Sequence, residues 1–189
     1  MPSYFEFRVF IQGIEPEVWR QFLLAQTASF EALHEAIQDS FGWDGEHLFE
    51  FRDKDGKQSI ARADFDDPEA DEEVPTVGKK KLSSFFTKHG QKCLYVYDFG
   101  DNWEHAVEFL GVTELPDKFN RRLLDGARAC PMEDCGGVMG YDECVEVAGL
   151  SKEEDEENED EELADRKEWM ADWKPEAFDL PAVKKGFDG

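Results

Sequence analysis

Residues 92–109 carry two different hydrophobic patterns, separated by a short polar stretch. Residues 92–97 are almost continuously apolar, which is typical of a strand buried on both faces. From Trp103 onward apolar and polar residues alternate, and one predicted face holds Trp103, His105, Val107 and Phe109. The connection at 98–102 contains Asp, Gly and Asn, which tolerate positive φ or bond their own backbone. The pattern predicts a β-hairpin with a tight turn at 98–102.

The N-terminal part of the chain shows a hairpin followed by a helix. Alternating apolar residues predict strands at 5–11 and 18–24, joined by a turn at 13–16. Helical spacing then predicts a helix between an N-cap at Ser29 and a stop at Gly42. Apolar residues of this helix recur on one side, so it is expected to pack on the sheet.

A second hairpin follows the helix. Alternation at 47–51 predicts a third strand, and the Asp-Lys-Asp-Gly sequence at 53–56 predicts a turn into a fourth strand at 58–61. Residues 62–78 are acidic and contain two prolines, which indicates a long loop. A short helix is expected around Leu82, before the buried strand at 92–97.

After Pro116 the pattern changes. Residues 117–140 are rich in Arg, Gly and Cys and show no sustained period, so no regular element is predicted there. Helical patterns follow at 141–148 and 163–173, and Asp179 is placed to cap a last short helix. This helical part is expected to pack on the sheet, because large aromatic side chains need cover: Trp169, Trp173 and Phe178.

These elements predict an α+β fold with a mainly antiparallel sheet of hairpins, one helix packed on it and a C-terminal helical segment. Residues 1–189 are expected to form a single domain. The sheet-rich part covers about residues 1–115, and a Cys/Gly loop with the helical part covers about 116–189. An acidic insert lies at 151–162.

The charge restricts the partners. The formal net charge is −24, which repels nucleic-acid phosphate and anionic membranes and attracts cationic partners and divalent ions. Dense acidic runs at 64–73 and 153–162 are expected to be solvated. The start of the chain resembles no export signal, no stretch is apolar enough for a membrane span, and four cysteines do not suggest a disulfide scaffold. We expect a cytoplasmic protein with reduced thiols.

Five segments in order resemble a known family. They are Val18-Trp19-Arg20, Phe41-Gly42-Trp43-Asp44 with His47-Leu48, Tyr97 through Trp103 with His105, Ala129-Cys130-Pro131 through Gly140-Tyr141, and Pro175 through Asp179. Together they resemble the plasmid pRiA4b ORF-3-like family over nearly the whole chain. The resemblance implies a single α+β domain, often encoded near mobile or plasmid-borne genes. It implies no particular reaction, and the chain shows no serine-recombinase pattern.

One candidate chemistry is a zinc site. His47 and His105 lie on predicted strand faces, and Cys130 and Cys135 lie on a loop constrained by Pro131. Two imidazoles and two thiolates would satisfy tetrahedral Zn²⁺. The spacing does not show that the four residues converge, and buried structural histidines are an equally simple interpretation of the two imidazoles.

Two enzymatic alternatives remain open. Carboxylates beside an imidazole can perform acid–base work or hold Mg²⁺, and the candidates are Asp98, Asp101, Glu104 and His105. In a strand, however, Glu104 and His105 point to opposite faces. A cysteine nucleophile at Cys130 or Cys135 is the other alternative, with Arg121, Arg122 and Arg128 near in sequence. Pairing with carboxylates is the more ordinary role for these arginines.

The leading functional hypothesis is a binding or interaction module. Its candidate residues are the turn residues Asp98, Asp101 and Asn102 with the neighbouring Trp103 and Trp43. The turn at 98–102 and the loop at 130–140 would recognise a protein or another cationic partner. An aromatic groove of Trp19, Trp43 and Trp103 is an alternative to their packing in the core. A metal-dependent hydrolase is the second hypothesis, and an accessory protein of a mobile element is the third.

Overall fold

A computed structural model describes residues 1–63, 73–151 and 161–189, with the backbone alone at Glu161. Seven antiparallel strands form one sheet in the order β4-β3-β5-β6-β1-β2-β7. The strands are β1 Ser3–Ile11, β2 Trp19–Ala25, β3 Phe49–Asp53, β4 Ser59–Arg62, β5 Lys92–Tyr97, β6 Trp103–Glu114 and β7 Arg121–Ala127. The predicted antiparallel α+β fold is confirmed.

Four α-helices accompany the sheet in the described residues. They are α1 Phe30–Phe41, α2 Gly137–Gly149, α3 Glu161–Met170 and α4 Leu180–Phe187, and a 3₁₀ turn covers Leu82–Ser84. Within the described ranges, the helices are too short and too polar to cross a lipid bilayer.

The first helix begins and ends where the sequence predicts. The Ser29 hydroxyl accepts a hydrogen bond from the Ala32 amide at 3.4 Å, and Gly42 ends the helix with φ +89°. The apolar face of α1 is fully buried at Phe30, Leu33 and Ile37 and joins the inward-facing residues of β1 in one core. Burial of this apolar face is the main contribution that stabilises the packing of α1 on the sheet.

Arg20 is buried in the core and contacts three parts of the fold. Its guanidinium donates to the carbonyls of Ser40, Ala127 and Arg128 at 2.7 to 3.0 Å and lies over the Phe178 ring. Burial lowers the pKa of Arg20 from 12.5 to about 10, but the group stays charged at neutral pH. The end of α1, the end of β7 and the C-terminal segment are therefore joined through one buried cation.

The structure differs from the sequence-based expectation between residues 117 and 140. A seventh strand, β7, pairs with β2 there, and α2 begins at Gly137, four residues before the predicted start. β7 is an edge strand, which needs only one apolar face and can carry charged residues such as Arg121 and Arg122. The sequence there therefore shows no clear strand pattern. The third strand begins two residues later than predicted, at Phe49, so His47 precedes it. The acidic runs lie mostly at 64–72 and 152–160, outside the described residues.

The helical part covers the sheet at its β7 end. The Lys184 ammonium donates to the Leu123 carbonyl at 2.8 Å, and the Phe187 and Phe22 ring centroids are 5.6 Å apart. Trp173 and Phe178 are half-buried against the core, as expected. Trp169 is not covered: 48% of its surface is exposed.

Candidate functional site

Two loops that the sequence marks as conformationally special meet in space. The first is the turn at 98–102, and the second is the cysteine loop at 130–137. The Asp101 carboxylate accepts a hydrogen bond from the Gly136 amide at 3.1 Å. Gly137 has φ +70°, and a Cβ there would lie 2.5 Å from the Asp101 carbonyl oxygen. This approach therefore requires glycine.

The turn at 98–102 is held by its own hydrogen bonds. Asp98 and Asn102 both have φ +54°, a conformation that Asp and Asn adopt more readily than other side chains. The Asp98 carboxylate accepts from the Gly100 amide at 2.9 Å, and the Asp98 amide donates to the Leu48 carbonyl at 2.9 Å. The predicted tight turn is confirmed, and it is anchored to the segment before β3.

That segment, residues 43–48, is the third component of the site. The Trp43 indole donates to the Pro131 carbonyl at 2.8 Å, and the Asp44 amide donates to the Glu133 carboxylate at 2.8 Å. The other oxygen of Glu133 accepts from the Tyr97 hydroxyl at 2.5 Å. We call the assembly of residues 43–48, 98–102 and 130–137 the loop junction.

His47 lies between two carboxylates at the loop junction. Its Nδ1 is 3.8 Å from Asp98 and its Nε2 is 3.4 Å from Asp134, which itself has φ +61°. One ligand atom from each of the three residues lies within 4.8 Å of the others, and the described parts of the chain hold no second such group. A divalent cation with water ligands fits this donor set, and a protonated imidazole bridges the same two carboxylates without a metal.

The four residues considered for zinc are not brought together. His47 lies in the loop junction, whereas His105 is fully buried beneath it. The Cys130 and Cys135 thiols are free and lie outside the group formed by His47, Asp98 and Asp134. Burial raises the pKa of the Cys135 thiol to about 12 and that of Cys130 well above its ordinary value. Both thiols are therefore protonated at neutral pH.

The aromatic residues form the floor of the loop junction rather than an exposed groove. Trp43 stacks on Tyr97 with ring centroids 5.1 Å apart and lies 5.7 Å from Trp103. Trp43 is 6% exposed and Trp103 is 1% exposed. Trp19 instead packs under the Arg8 guanidinium at 5.0 Å. Core packing is thus the role of Trp43 and Trp103.

His105 belongs to this floor and is held neutral. Its Nδ1 is bonded to the Trp103 carbonyl at 3.0 Å, and its ring packs edge-on against Trp43 at 5.2 Å. Burial lowers the pKa of His105 to about 4. Glu104 lies on the opposite, partly exposed face of β6, as predicted from strand geometry. A buried imidazole without an adjacent carboxylate does not suit acid–base work on an external substrate.

A second neutral histidine, His34, lies on α1 and contacts the sheet. His34 stacks on Phe49 at 3.5 Å, and its Nδ1 is 2.7 Å from the Tyr95 hydroxyl, which accepts from Gln38 at 2.9 Å. Burial lowers the pKa of His34 to about 4 and keeps Tyr95 protonated, so Tyr95 donates to Nδ1. This network links α1 to β5 and leaves the histidine proton on Nε2.

The arginines near the cysteine loop pair with carboxylates, which was the more ordinary of the two roles considered for them. Arg128 pairs with Glu176 at 2.8 Å, Arg121 pairs with Asp39, and Arg122 lies 3.7 Å from Asp117. Arg20 is the cation that lowers the Cys130 pKa, but the desolvation of the thiol outweighs it. The geometry therefore shows no activated cysteine nucleophile in the described residues.

Asp134 is the functional candidate that sequence reasoning missed. It lies 87 positions after His47 in the chain, and no local pattern links the two residues. The available signal was the Gly136-Gly137 pair, which allows the cysteine loop to approach another backbone closely. Only the fold shows that this backbone is the turn at 98–102.

Comparisons with known proteins agree with the fold. The profile of the plasmid pRiA4b ORF-3-like protein family matches residues 3–182. An uncharacterised protein of Sinorhizobium fredii, y4hQ, is 32% identical over 146 residues, which are 77% of this chain and 73% of that protein. The crystal structure of MM3350, a protein of unknown function from Methanosarcina mazei Go1, superimposes with a TM-score of 0.78 at 31% identity, covering 97% of this chain and 98% of that one. The chain belongs to the plasmid pRiA4b ORF-3-like family.

Proposed function

We propose that the protein is a cytoplasmic binding module that holds a cationic partner at the loop junction. The observation that carries the proposal is the convergence of two conformationally fixed loops, which brings Asp98, Asp101, Glu133 and Asp134 together at the loop junction. The loops are fixed by backbone hydrogen bonds, so these carboxylates are pre-organised for a ligand. Pre-organisation lowers the entropic cost of binding.

Electrostatics supports a cationic partner. The net charge of −24 attracts basic ligands over a distance of about one Debye length and speeds their association. The same field repels phosphate-rich nucleic acid and anionic lipid. A partner with clustered lysines or arginines is therefore favoured over both.

Salt-dependent binding of a defined cation tests this proposal. A fluorescent oligolysine peptide should bind the full chain with an affinity that falls as salt is added. The double variant Asp98→Asn, Asp134→Asn should weaken binding by about tenfold or more, since it removes two charges that would pair with the peptide. Asparagine also tolerates positive φ, so the turn should keep its shape.

The matched control removes the same charge elsewhere. Asp55 lies in the β3–β4 turn and Glu114 ends β6, and both are exposed. The double variant Asp55→Asn, Glu114→Gln should change oligolysine affinity by less than about threefold. Equal losses in the two double variants would show a general charge effect and would contradict a specific site.

A metal-dependent hydrolase is the second candidate, favoured by the group of His47, Asp98 and Asp134. A divalent metal held there would activate water for hydrolysis. Elemental analysis of protein purified without a tag or chelator, followed by titration with Mn²⁺ and Zn²⁺, separates the candidates. About one equivalent of metal, lost in His47→Gln, would favour the hydrolase over the binding module.

A further inference from the structure

Large apolar side chains are exposed around the loop junction. Six large hydrophobic residues are exposed in the described part of the chain: Met1, Leu48, Phe99, Val112, Met139 and Trp169. Leu48 is 45% exposed and Phe99 is 49% exposed, and both flank Asp98. Phe99 follows Asp98 in sequence, and the Leu48 carbonyl accepts a hydrogen bond from the Asp98 amide at 2.9 Å.

Trp169 borders the other side of the loop junction. Trp169 projects from α3 into a shallow depression of about 300 Å³ that it shares with Asp134 and Cys135. Acidic α3 residues Glu162 and Asp165 line the same depression, and its one arginine, Arg166, pairs with Glu143 at 2.6 Å. The depression therefore offers an indole surface beside carboxylates.

We propose that the loop junction docks a basic segment of another protein that also carries large apolar side chains. Its lysines or arginines would pair with Asp98 and Asp134, and its apolar side chains would cover Phe99 and Trp169. The inference rests on the proposed function and goes further by naming the partner as a peptide segment. Aromatic anchors surrounded by charged residues are typical of protein–protein recognition sites.

Charge complementarity selects this occupant over a second copy of the chain. A symmetric dimer would place the same acidic surface against itself, and each copy carries a net charge of −24. A metal ion or a small polyamine would engage the carboxylates but would leave Phe99 and Trp169 exposed. A basic and apolar segment satisfies both parts of the surface.

Selection from short random peptides displayed on phage tests the inference with the full chain as bait. Enriched peptides should contain both basic and large apolar residues. One enriched peptide, synthesised with a fluorescent label, should bind about tenfold or more weakly to Phe99→Ser and to Trp169→Gln. Glutamine is a good helix former, so it should preserve α3.

Val112→Ser is the matched control. Val112 is 53% exposed but lies on β6, away from the loop junction. Its variant should bind the selected peptide within about twofold of wild type. Circular dichroism and thermal unfolding of each variant verify that the fold is retained.

The outcomes separate the inference from the proposed function. Binding that depends on Asp98 and Asp134 but not on Phe99 or Trp169 would overturn the inference and leave the proposed function intact. Peptide binding unaffected by all four residues would overturn both. Enrichment of apolar peptides without basic residues, or a dimer abolished by Phe99→Ser, would also overturn the inference.

Discussion

The loop junction and the aromatic floor beneath it use histidine in opposite ways. His47 is one-third exposed and lies between Asp98 and Asp134, whereas His105 is fully buried among aromatic rings. The first is accessible from solvent, and the second is held neutral by burial. Two histidines that share similar aromatic neighbours in sequence thus have different surroundings: His47 lies between carboxylates, and His105 packs in the core. The difference is set by the fold and not by the local sequence.

Removal of a floor residue should have the largest effect on stability. Trp103→Ala deletes a buried indole that contacts Trp43, and we expect a loss of about 3–5 kcal/mol in the free energy of unfolding. Urea denaturation measures the change. Val112→Ala, on the exposed side of β6, should cost less than about 0.5 kcal/mol. Similar losses in both variants would contradict the distinction between floor and surface.

Acid should destabilise the protein through two neutral histidines, the fully buried His105 and the partly buried His34. His34 and His105 have pKa values of about 4 in the fold against 6.5 when unfolded, so between these values the unfolded chain binds more protons. The contribution of these histidines to the free energy of unfolding is fully present above pH 6.5. It is lost as pH drops toward 4, by up to about 1.4 kcal/mol per pH unit for each histidine. Unfolding free energies measured across this range in wild type and His34→Gln should show a shallower acid slope in the variant. An unchanged dependence of the unfolding free energy on pH in this variant would contradict a contribution of His34 to acid destabilisation.

The contact between the two loops should depend on a single glycine. Gly137→Ala forces a side chain to φ +70° and against the Asp101 carbonyl, and we expect a loss of about 1–3 kcal/mol. Gly149→Ala provides the control, because nothing lies within 4 Å of a Cβ at Gly149 and its φ is ordinary. Thermal unfolding compares the two. Equal losses of thermal stability in the two variants would show that the fold does not require a glycine at position 137.

The smallest stability effect is expected at His47. His47→Gln removes a ring that is one-third exposed, so the free energy of unfolding should change by less than about 0.5 kcal/mol. Chemical denaturation at neutral pH tests this expectation. A loss of about 2 kcal/mol or more would place His47 among the structural residues, together with His105.

The sequence predicts the fold well where hydrophobic period and turn chemistry agree. Ser29, Gly42 and the turn at 98–102 each combine a pattern with a residue type that has one strong local preference. β7 was missed because an edge strand with charged residues has no clear period. The site was only partly predictable, since the pairing of His47 with Asp98 and Asp134 depends on segments far apart in the chain. Local preference does not determine which distant loops meet.

The unequal burial of the tryptophans makes their intrinsic fluorescence sensitive to what covers the loop junction. Of its 5 tryptophans, Trp169 is strongly exposed, whereas Trp43 and Trp103 are shielded in the floor. A neutral soluble quencher such as acrylamide would reach Trp169 more readily than the shielded tryptophans of the floor. Occupation of the loop junction would shield Trp169 and reduce the quenchable fraction. Docking at this surface can thus be followed by intrinsic fluorescence on unlabelled protein.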